Sequence, residues 1–439
     1  MIVLSLGAIS NLESIPCGVG VVELYDPDEE MIFAFRKISS LPVIAKIVSS
    51  DVNSLLGLGL DYIDLDFQDL FWENPEPELF PETKFIISYH NYNDTPSDLE
   101  GILDVLDSFG ADVIKIATTA QNTNDGLRIL RLLAAHDSKN IAAVAMGEEG
   151  FVSRVLGLKY GSYFTYLALT EDRRTASGQF TLKDFIDKYS RITAHTKVMG
   201  LIGDPVDKSH GFSYHNSYYT VEGIDAIYLP FRLREYELEE FIGHFRKLYF
   251  YGLSVTMPLK SHVVNYIDFD KSLCNVVNTI CNCNGILESY NTDSLAFWGL
   301  LGEHFGSVQG VRVVVLGTGG VARAVVAEGV RRGAEMTVLG RDFAKSRSLA
   351  DEYNCDYGSL LNLSSSIEII VNCTPIGMYR NDIPVDLKDV EVDLVADFVS
   401  NPSETAFISG AIKKGCRVID GLEIFYRQAE LQNKIWFCL

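Results

Sequence analysis

Eight short apolar runs recur through the first 190 residues, and this recurrence constrains the fold more than any other feature of the chain. They read as strands at 2–7, 19–25, 42–47, 62–67, 85–90, 112–117, 141–146 and 162–169. Helical patterns follow several of them, at 98–109, 124–136, 148–158 and 181–190, while the connection 26–41 reads as short or poorly helical. Alternating strands and helices predict a parallel sheet, and eight strands predict an α/β barrel of the (β/α)8 kind. In that fold, polar residues near strand C-termini are the chemical candidates. Glu23, Tyr25, Asp64, Asp66, His90 and Lys115 hold such places.

Lys115 interrupts the apolar run "VIKIA", and strand alternation puts it with Val113 and Ala117 on the inner face. A buried ammonium must be paired or must go neutral. Pairing with a carboxylate is one reading; the other is a desolvated amine that forms an imine with a ketone. On the second reading burial is expected to lower the lysine's pKa, so that free amine exists.

A join is expected at "RITAHTKVMG", 191–200, where a helix ends and a new strand begins. Further on, "VRVVVLGTGGVARAVVAEGVRRGAEMTVLGRD" reads as strand, Gly-rich turn, helix, strand. Gly317, Gly319 and Gly320 suit the close approach of a pyrophosphate to a helix N-terminus. A dinucleotide-binding domain of the Rossmann type is expected there. The second strand ends in Gly340–Arg341–Asp342, with Lys345 close behind. Arg341 stands where an acidic residue would select NAD, and Arg341 with Lys345 suits a 2′-phosphate, so NADP is expected. Asp342 leaves some room for NAD.

The formal charge of −22 disfavours nucleic acid and anionic membranes as partners. Small anionic molecules would then need locally placed Arg and Lys. None of the eight cysteines forms a C-x-x-C, so no metal is expected, and a reducing cytoplasm fits. No apolar run reaches the ~18 residues of a membrane span.

Two resemblances cover the chain. "SYHNYNDTPS", "GADVIKIATTA", "MGEEGFVSRVLG" and "TASGQ" resemble the type I 3-dehydroquinate dehydratases over about residues 1–190. The resemblance implies a (β/α)8 barrel in which Lys115 forms a Schiff base and His90 is general acid and base. Asp66 would orient that histidine, and Arg154 would pair with the substrate carboxylate. Thr175 and Gln179 match the lid loop, and Glu23 matches the first residue of a Glu-x-Arg pattern that contacts substrate. Tyr25 replaces the arginine of that pattern, and Ile47–Val48 stands where a second arginine is usual.

"VTMPLK", "VVNTI", "NTD", "GTGGVAR", "NCTPIGM" and "GLEIFYRQA" resemble shikimate dehydrogenases across about 198–439. By that resemblance Lys260 and Asp293 are the catalytic pair, and Ser209, Ser254, Thr256, Asn278 and Gln428 contact the substrate. Thr374 and Gly421 would line the nicotinamide side. Gly211 and Ser400 depart from a usual serine and tyrosine, and Ser213 is a candidate replacement hydroxyl.

The implied domains are a dehydratase barrel at 1–192, a substrate domain at 197–304, an NADP domain at 305–420 and a returning helix at 421–439. The implied activity dehydrates 3-dehydroquinate to 3-dehydroshikimate, then reduces this to shikimate with NADPH. An alternative keeps a shikimate or quinate dehydrogenase beside a weakened barrel. The sequence leaves the oligomeric state open.

Overall fold

The structure, a computed structural model, describes residues 1–7, 14–48, 52–55, 57–68, 81–207, 209–360 and 366–438. The backbone clusters into two compact units, Met1–Lys197 with Glu239–Leu248, and Val198–Leu238 with Tyr249–Leu439.

The first unit begins with β1 (Ile2–Leu6), β2 (Val21–Tyr25), α1 (Glu29–Ile38), β3 (Val43–Lys46), β4 (Tyr62–Asp66) and β5 (Lys84–His90). It continues through α2 (Leu99–Asp107), β6 (Val113–Thr119), α3 (Thr123–Ala135), β7 (Ile141–Met146), α4 (Phe151–Leu156), β8 (Thr165–Ala168) and α5 (Leu182–Tyr189). The eight expected strands are all present, as one sheet in the order β7-β6-β5-β4-β3-β2-β1-β8. Every pair is parallel. The two ends of the order meet where Tyr163 N, just ahead of β8, donates to Ile141 O of β7 at 2.7 Å.

One expectation needs correcting. The connection 26–41 is helical, because Asp28 caps α1 by accepting from Met31 N at 2.7 Å. Glu29 and Glu30 in its first turn and Arg36 and Lys37 in its last complement the helix dipole, and Ile32 and Phe35 are its buried face.

Inside the barrel, side chains form layers. Val3, Val21, Ile44, Tyr62, Ile86, Val113, Ala142 and Phe164 make an apolar floor. Because a strand has period two, the next inward residues up the strands are Ser5, Glu23, Lys46, Asp64, Ser88 and Lys115, all buried. The sequence thus places a polar layer directly on an apolar one.

The second part of the chain runs β9 (Lys197–Gly203), α6 (Gly211–Val221), β10 (Ala226–Arg232), α7 (Leu238–Lys247), β11 (Gly252–Val255), β12 (Phe269–Asp270), β13 (Thr279–Cys283), β14 (Ile286–Tyr290) and α8 (Thr292–Phe305). Then come β15 (Arg312–Leu316), α9 (Gly320–Arg331), β16 (Glu335–Gly340), α10 (Phe343–Tyr353), β17 (Asp356–Ser359), β18 (Ser366–Asn372), β19 (Glu391–Asp397), α11 (Ala406–Lys414), β20 (Arg417–Ile419) and α12 (Gly421–Phe437). One sheet has the order β10-β9-β11-β13-β14-β12, the other β17-β16-β15-β18-β19-β20. The latter is parallel and has the doubly wound order, with its switch point beside β15. Val313 and Val315 of β15 face a core shared with α8 and α9, while Val314 and Leu316 face one shared with α11.

Helix α12 packs back on the first of these sheets. Trp436 Nε1 donates to Ile280 O at 2.9 Å, and its ring joins a cluster with Met199, Tyr219 and Tyr228. Among the described residues no helix is long and apolar enough to cross a membrane.

His215 of α6 sits in this cluster, 4.4 Å from the Tyr228 ring, with Nδ1 3.0 Å from Asn433 Oδ1. Burial holds its pKa down at about 4, although the Asn433 and Gln432 side chains favour the charged form. The folded state therefore keeps a neutral imidazole where the unfolded chain, titrating near 6.5, binds a proton. The contribution is present above that value and is lost as pH falls toward about 4. Compared with His215→Phe, the wild type should lose about 3 kcal/mol of unfolding free energy between pH 7 and pH 4. Chemical denaturation at both pH values measures this, and a constant difference between the two proteins would disprove it.

Two candidate active sites

The first site grows out of the polar layer of the barrel. Lys115 Nζ donates to Asp64 Oδ2 at 2.7 Å and to Glu23 Oε1 at 3.0 Å, and lies 4.4 Å from the centre of the Tyr166 ring. Ser5 Oγ donates to the other oxygen of Glu23 at 2.8 Å. Lys46 Nζ donates to Asp64 Oδ1 at 3.2 Å and to Ser88 Oγ at 2.9 Å. Asp64 is thus clasped between two ammonium groups. Burial alone would raise its pKa, but Lys115 and Lys46 hold it well below the usual carboxylate range.

The same contacts correct the expectation for Lys115. Burial does push its pKa down, but Asp64 and Glu23 outweigh burial and hold it well above the ordinary lysine value. The resting lysine is an ammonium ion. The carboxylates that decide this come from β2 and β4, far from Lys115 in sequence.

Above this layer, Asp66 ends β4 and His90 ends β5. His90 Nδ1 donates to Asp66 Oδ2 at 2.6 Å. Asp66 is pushed up by burial and pulled down further by the bonds from His90 and Gln68 N, so its pKa lies below the ordinary value. An ionised Asp66 can only accept, which puts the proton on Nδ1 and leaves Nε2 free to take one. Lys46, Asp66, His90 and Tyr92 line a cleft of about 620 Å³.

Arg154 of α4 is a buried cation. Its Nη2 donates to Ser177 O at 3.1 Å, and its Nε has no hydrogen-bond partner among the described residues. Burial lowers its pKa to about 10, and no carboxylate among the described residues acts on it. Arg154 and Lys115 line one small cavity of about 20 Å³. Across the mouth, Gln179 Oε1 accepts from Thr175 N at 2.8 Å and from Thr175 Oγ1 at 3.3 Å. Tyr25, present in place of an arginine, hydrogen-bonds Thr175, and burial lifts its pKa to about 12. Glu23 is only 1 % exposed and serves Lys115 and Ser5 rather than the open cleft.

The second site lies in the later part of the chain. Lys260, in a short turn after β11, donates from Nζ to Asp293 Oδ2 of α8 at 2.5 Å. Asn278 Nδ2 donates to Thr292 Oγ1 at 2.9 Å and to Gln428 Oε1 at 3.4 Å. Ser254 Oγ donates to Gln432 Oε1 at 3.0 Å, and Gln432 Nε2 returns to Asn278 O and Thr279 Oγ1. Helix α12 thereby ties Ser254, Asn278 and Thr292 together. Thr256 is half-buried next to Lys260's turn, donating from its N to Ile202 O at 2.9 Å. Ser209 Oγ accepts from Gly211 N at 3.1 Å. Ser213 is exposed and donates to His210 O at 3.0 Å, so its hydroxyl is used within its own helix. His210 Nε2 instead reaches Ser400 O, at 3.3 Å.

The Gly-rich turn lies between β15 and α9. Gly317 has φ +116°, and a Cβ there would lie 3.0 Å from Thr374 Cγ2, so both conformation and space call for glycine. Gly319 is the N-cap of α9 and makes no side-chain cap bond, and a Cβ on it would meet nothing within 4 Å. Gly320 opens the helix. The helix start has no side-chain cap, and a Cβ on Gly320 would lie 3.1 Å from Val276 Cγ1, so an uncapped N-terminus with room at Gly319 fits a pyrophosphate. Thr374 Oγ1 is fixed to Asn372 Oδ1 at 2.7 Å. Gly421, the first residue of α12, is packed so tightly that a Cβ would lie 2.1 Å from Val399 O. Asp342 caps α10 by accepting from Ala344 N and Lys345 N. Its carboxylate is therefore engaged, whereas Arg341 and Lys345 are exposed. Among the described residues no cluster of His, Cys, Asp and Glu is arranged to hold a metal ion.

Sequence reasoning about function missed four of these residues. Lys46 reads as the end of an apolar strand, and Tyr166 as a core aromatic. Gln432 and Thr292 carried a signal: Gln432 is one helical turn beyond Gln428, and Thr292 lies within the "NTD" stretch.

Known proteins resemble both parts of the chain. Residues 31–195 match the model of the type I 3-dehydroquinase family, and residues 201–280 that of the shikimate dehydrogenase substrate binding domain. The "Shikimate biosynthesis protein AroDE" of Chlamydia pneumoniae is 31% identical over 369 residues, covering 81% of this chain and 74% of its own. The "Bifunctional 3-dehydroquinate dehydratase/shikimate dehydrogenase, chloroplastic" of Arabidopsis thaliana is 31% identical over 411 residues, covering 86% and 68%. Among solved structures, the shikimate dehydrogenase of Aquifex aeolicus aligns with a TM-score of 0.52 and 29% identity, over 56% of this chain and 95% of that one. That of Thermus thermophilus in complex with NADP(H) and shikimate aligns with a TM-score of 0.52 and 26% identity, over 56% and 94%.

The charge pairing in the barrel makes a stability prediction. Lys115→Met leaves Glu23 buried with only Ser5 as a bonded partner. Stripping one partner from a buried pair should cost the barrel about 3–5 kcal/mol at neutral pH. Urea unfolding followed by circular dichroism measures the loss. A variant as stable as the wild type would show that Lys115 does not hold these carboxylates in place.

Proposed function

The chain belongs to the family of bifunctional 3-dehydroquinate dehydratase/shikimate dehydrogenases, and we propose a residue-level mechanism for its two consecutive reactions. The first dehydrates 3-dehydroquinate to 3-dehydroshikimate; the second reduces 3-dehydroshikimate to shikimate. The observation that carries the site assignment is the convergence of Lys115, the Asp66–His90 pair and Arg154 on one end of a parallel barrel.

In the barrel, Lys115 first gives up a proton. Its free amine then attacks the substrate ketone, and loss of water leaves a protonated imine. The imine draws electrons and acidifies the neighbouring carbon. His90 Nε2 takes that proton and passes it to the departing hydroxyl, which leaves as water. Hydrolysis of the imine consumes one water and frees both product and Lys115. Arg154, buried and without a carboxylate partner among the described residues, receives the substrate carboxylate. Thr175 and Gln179 close over it, and Glu23 acts through Lys115.

In the dehydrogenase part, NADPH supplies the hydride when bound. Gly317, Gly319 and Gly320 cradle its pyrophosphate, Arg341 and Lys345 receive its 2′-phosphate, and Thr374 and Gly421 lie on the nicotinamide side. Lys260, aligned by Asp293, stabilises the oxyanion developing on the carbonyl and delivers a proton. Ser209, Ser254, Thr256, Asn278 and Gln428 hold the substrate hydroxyls and carboxylate. We place the dehydrogenase lobes at 197–304 and 305–420, with 421–439 returning to the first, after a barrel at 1–192. A cytoplasmic enzyme is the reading that fits these substrates.

NADPH oxidation by the purified protein, started with 3-dehydroquinate alone, tests the whole sequence: steady oxidation is expected. No oxidation until 3-dehydroshikimate is added would mean the barrel is inactive, and none even then would remove the dehydrogenase assignment. Lys115→Ala should abolish oxidation from 3-dehydroquinate but keep it from 3-dehydroshikimate. Lys260→Met should lower reduction by about 10²–10⁴-fold and spare dehydration. Arg341→Asp should cost about 10–100-fold in kcat/KM for NADPH, with little change for NADH. Equal losses with both cofactors would rule out a 2′-phosphate contact.

A further inference from the structure

The barrel interior holds a second buried lysine that the dehydration mechanism does not use. Lys46 ends β3 with its side chain 8% exposed. Its Nζ lies 3.2 Å from Asp64 Oδ1 and 3.9 Å from Asp66 Oδ2. Asp64 holds Lys115 through its other oxygen, and Asp66 holds His90 through the same Oδ2. Among the described residues, Lys46 is thus the one cationic side chain within 4.0 Å of both carboxylates by which the proposed nucleophile and proton carrier are held. It also lines the open cleft beside His90.

We propose that Lys46 is a positioning residue for dehydration: its ammonium links Asp64 to Asp66 and takes over Asp64 when Lys115 gives up its proton. This rests on the reading of Lys115 as the imine-forming lysine.

The argument is one of charge. Glu23, Asp64 and Asp66 supply the carboxylates of the cluster, and Lys46, Lys115 and Arg154 the cations. Among the described residues, His90, Tyr25 and Tyr166 face it from β5, β2 and β8, and Tyr92 faces it from just beyond β5. For Lys115 to become an amine, Asp64 must lose its nearest cation while fully buried. With Lys46 present, Asp64 keeps an ammonium on Oδ1, and its charge remains paired. Without Lys46, Asp64 would hold only Lys115, so each proton on Lys115 would be gripped more tightly. The neighbouring His90 would also hold its proton more tightly once the cation beside Asp66 had gone. Both effects have the same sign, because removing a cation raises the pKa of every group around it.

The test compares pH profiles of dehydration and of borohydride trapping on Lys115 with 3-dehydroquinate. Wild type, Lys46→Gln and Lys46→Arg are measured, with dehydrogenase turnover and circular dichroism as checks of folding. A wild type that forms no adduct would fail the Lys115 reading itself, and this is settled before the variants are compared. Lys46→Gln keeps a donor for Asp64 and Ser88 but no charge. Its acid limb should move up by about one pH unit, about a tenfold loss below the limb. Lys46→Arg should bring the limb back toward the wild-type position, whatever its effect on kcat. Lys46→Met is the second neutral variant, read in the same way if Lys46→Gln does not fold. An unmoved limb in a folded neutral variant overturns the proposal. So does an equal shift in the neutral variant and Lys46→Arg, which would trace the effect to packing and not to charge.

Discussion

The carboxylate of Asp64 organises the barrel. It is fully buried at the centre of the polar layer, and its two oxygens are held by two different lysines. A buried carboxylate with no cation would be costly, and a buried ammonium with no anion equally so. Their mutual presence allows a charged layer to sit on the apolar floor of Val3, Ile44 and Val113. It also sets the protonation state of Lys115. Lys115 rests as an ammonium ion, and on the proposed mechanism it must release a proton before an imine can form. The barrel's chemistry therefore begins with the redistribution of charge inside a closed layer.

The dehydrogenase part solves a related problem with neutral groups. Ser254, Asn278, Thr292, Gln428 and Gln432 come from a strand, a strand entry and two helices, and their side chains satisfy one another. Such a network fixes each polar group before a ligand arrives, which lowers the cost of ordering on binding. The charged Lys260–Asp293 pair stands apart from that network, with Asp293 next in the chain to Thr292. The anchor is α12, whose Trp436 is buried against the rings of His215 on α6 and Tyr228 on β10. Packing at the end of that helix thus holds the glutamines at its middle in register.

Much of this was legible in the residue order. The eight strands and their alternation were clear because each is a short β-branched run bounded by turn formers. The Gly-rich turn was clear because its glycines sit between a strand and an amphipathic helix. The helix α1 was not: its apolar residues Met31–Phe35 run consecutively and show no helical spacing, and its ends are fixed by the Asp28 cap and by charges matched to its dipole. Lys46 was not legible either, since a lysine at a strand end has many ordinary reasons to be there. Asp342 looked like a possible ribose ligand until the structure showed it capping a helix.

The sequence by itself determined the fold class, the positions of the barrel strands and of the helices other than α1 that follow them, and the kinds of chemical group at the strand ends. These follow from local periodicity and local turn chemistry, which act over a few residues. The tertiary structure alone decided which groups meet. Lys115 finds Asp64 at a separation of 51 residues and Glu23 at 92, and only the closure of the sheet brings them within 3.0 Å. Because a pKa depends on distances of a few ångströms, the charge on Lys115 belongs to the folded barrel and could not be read from the order of its residues.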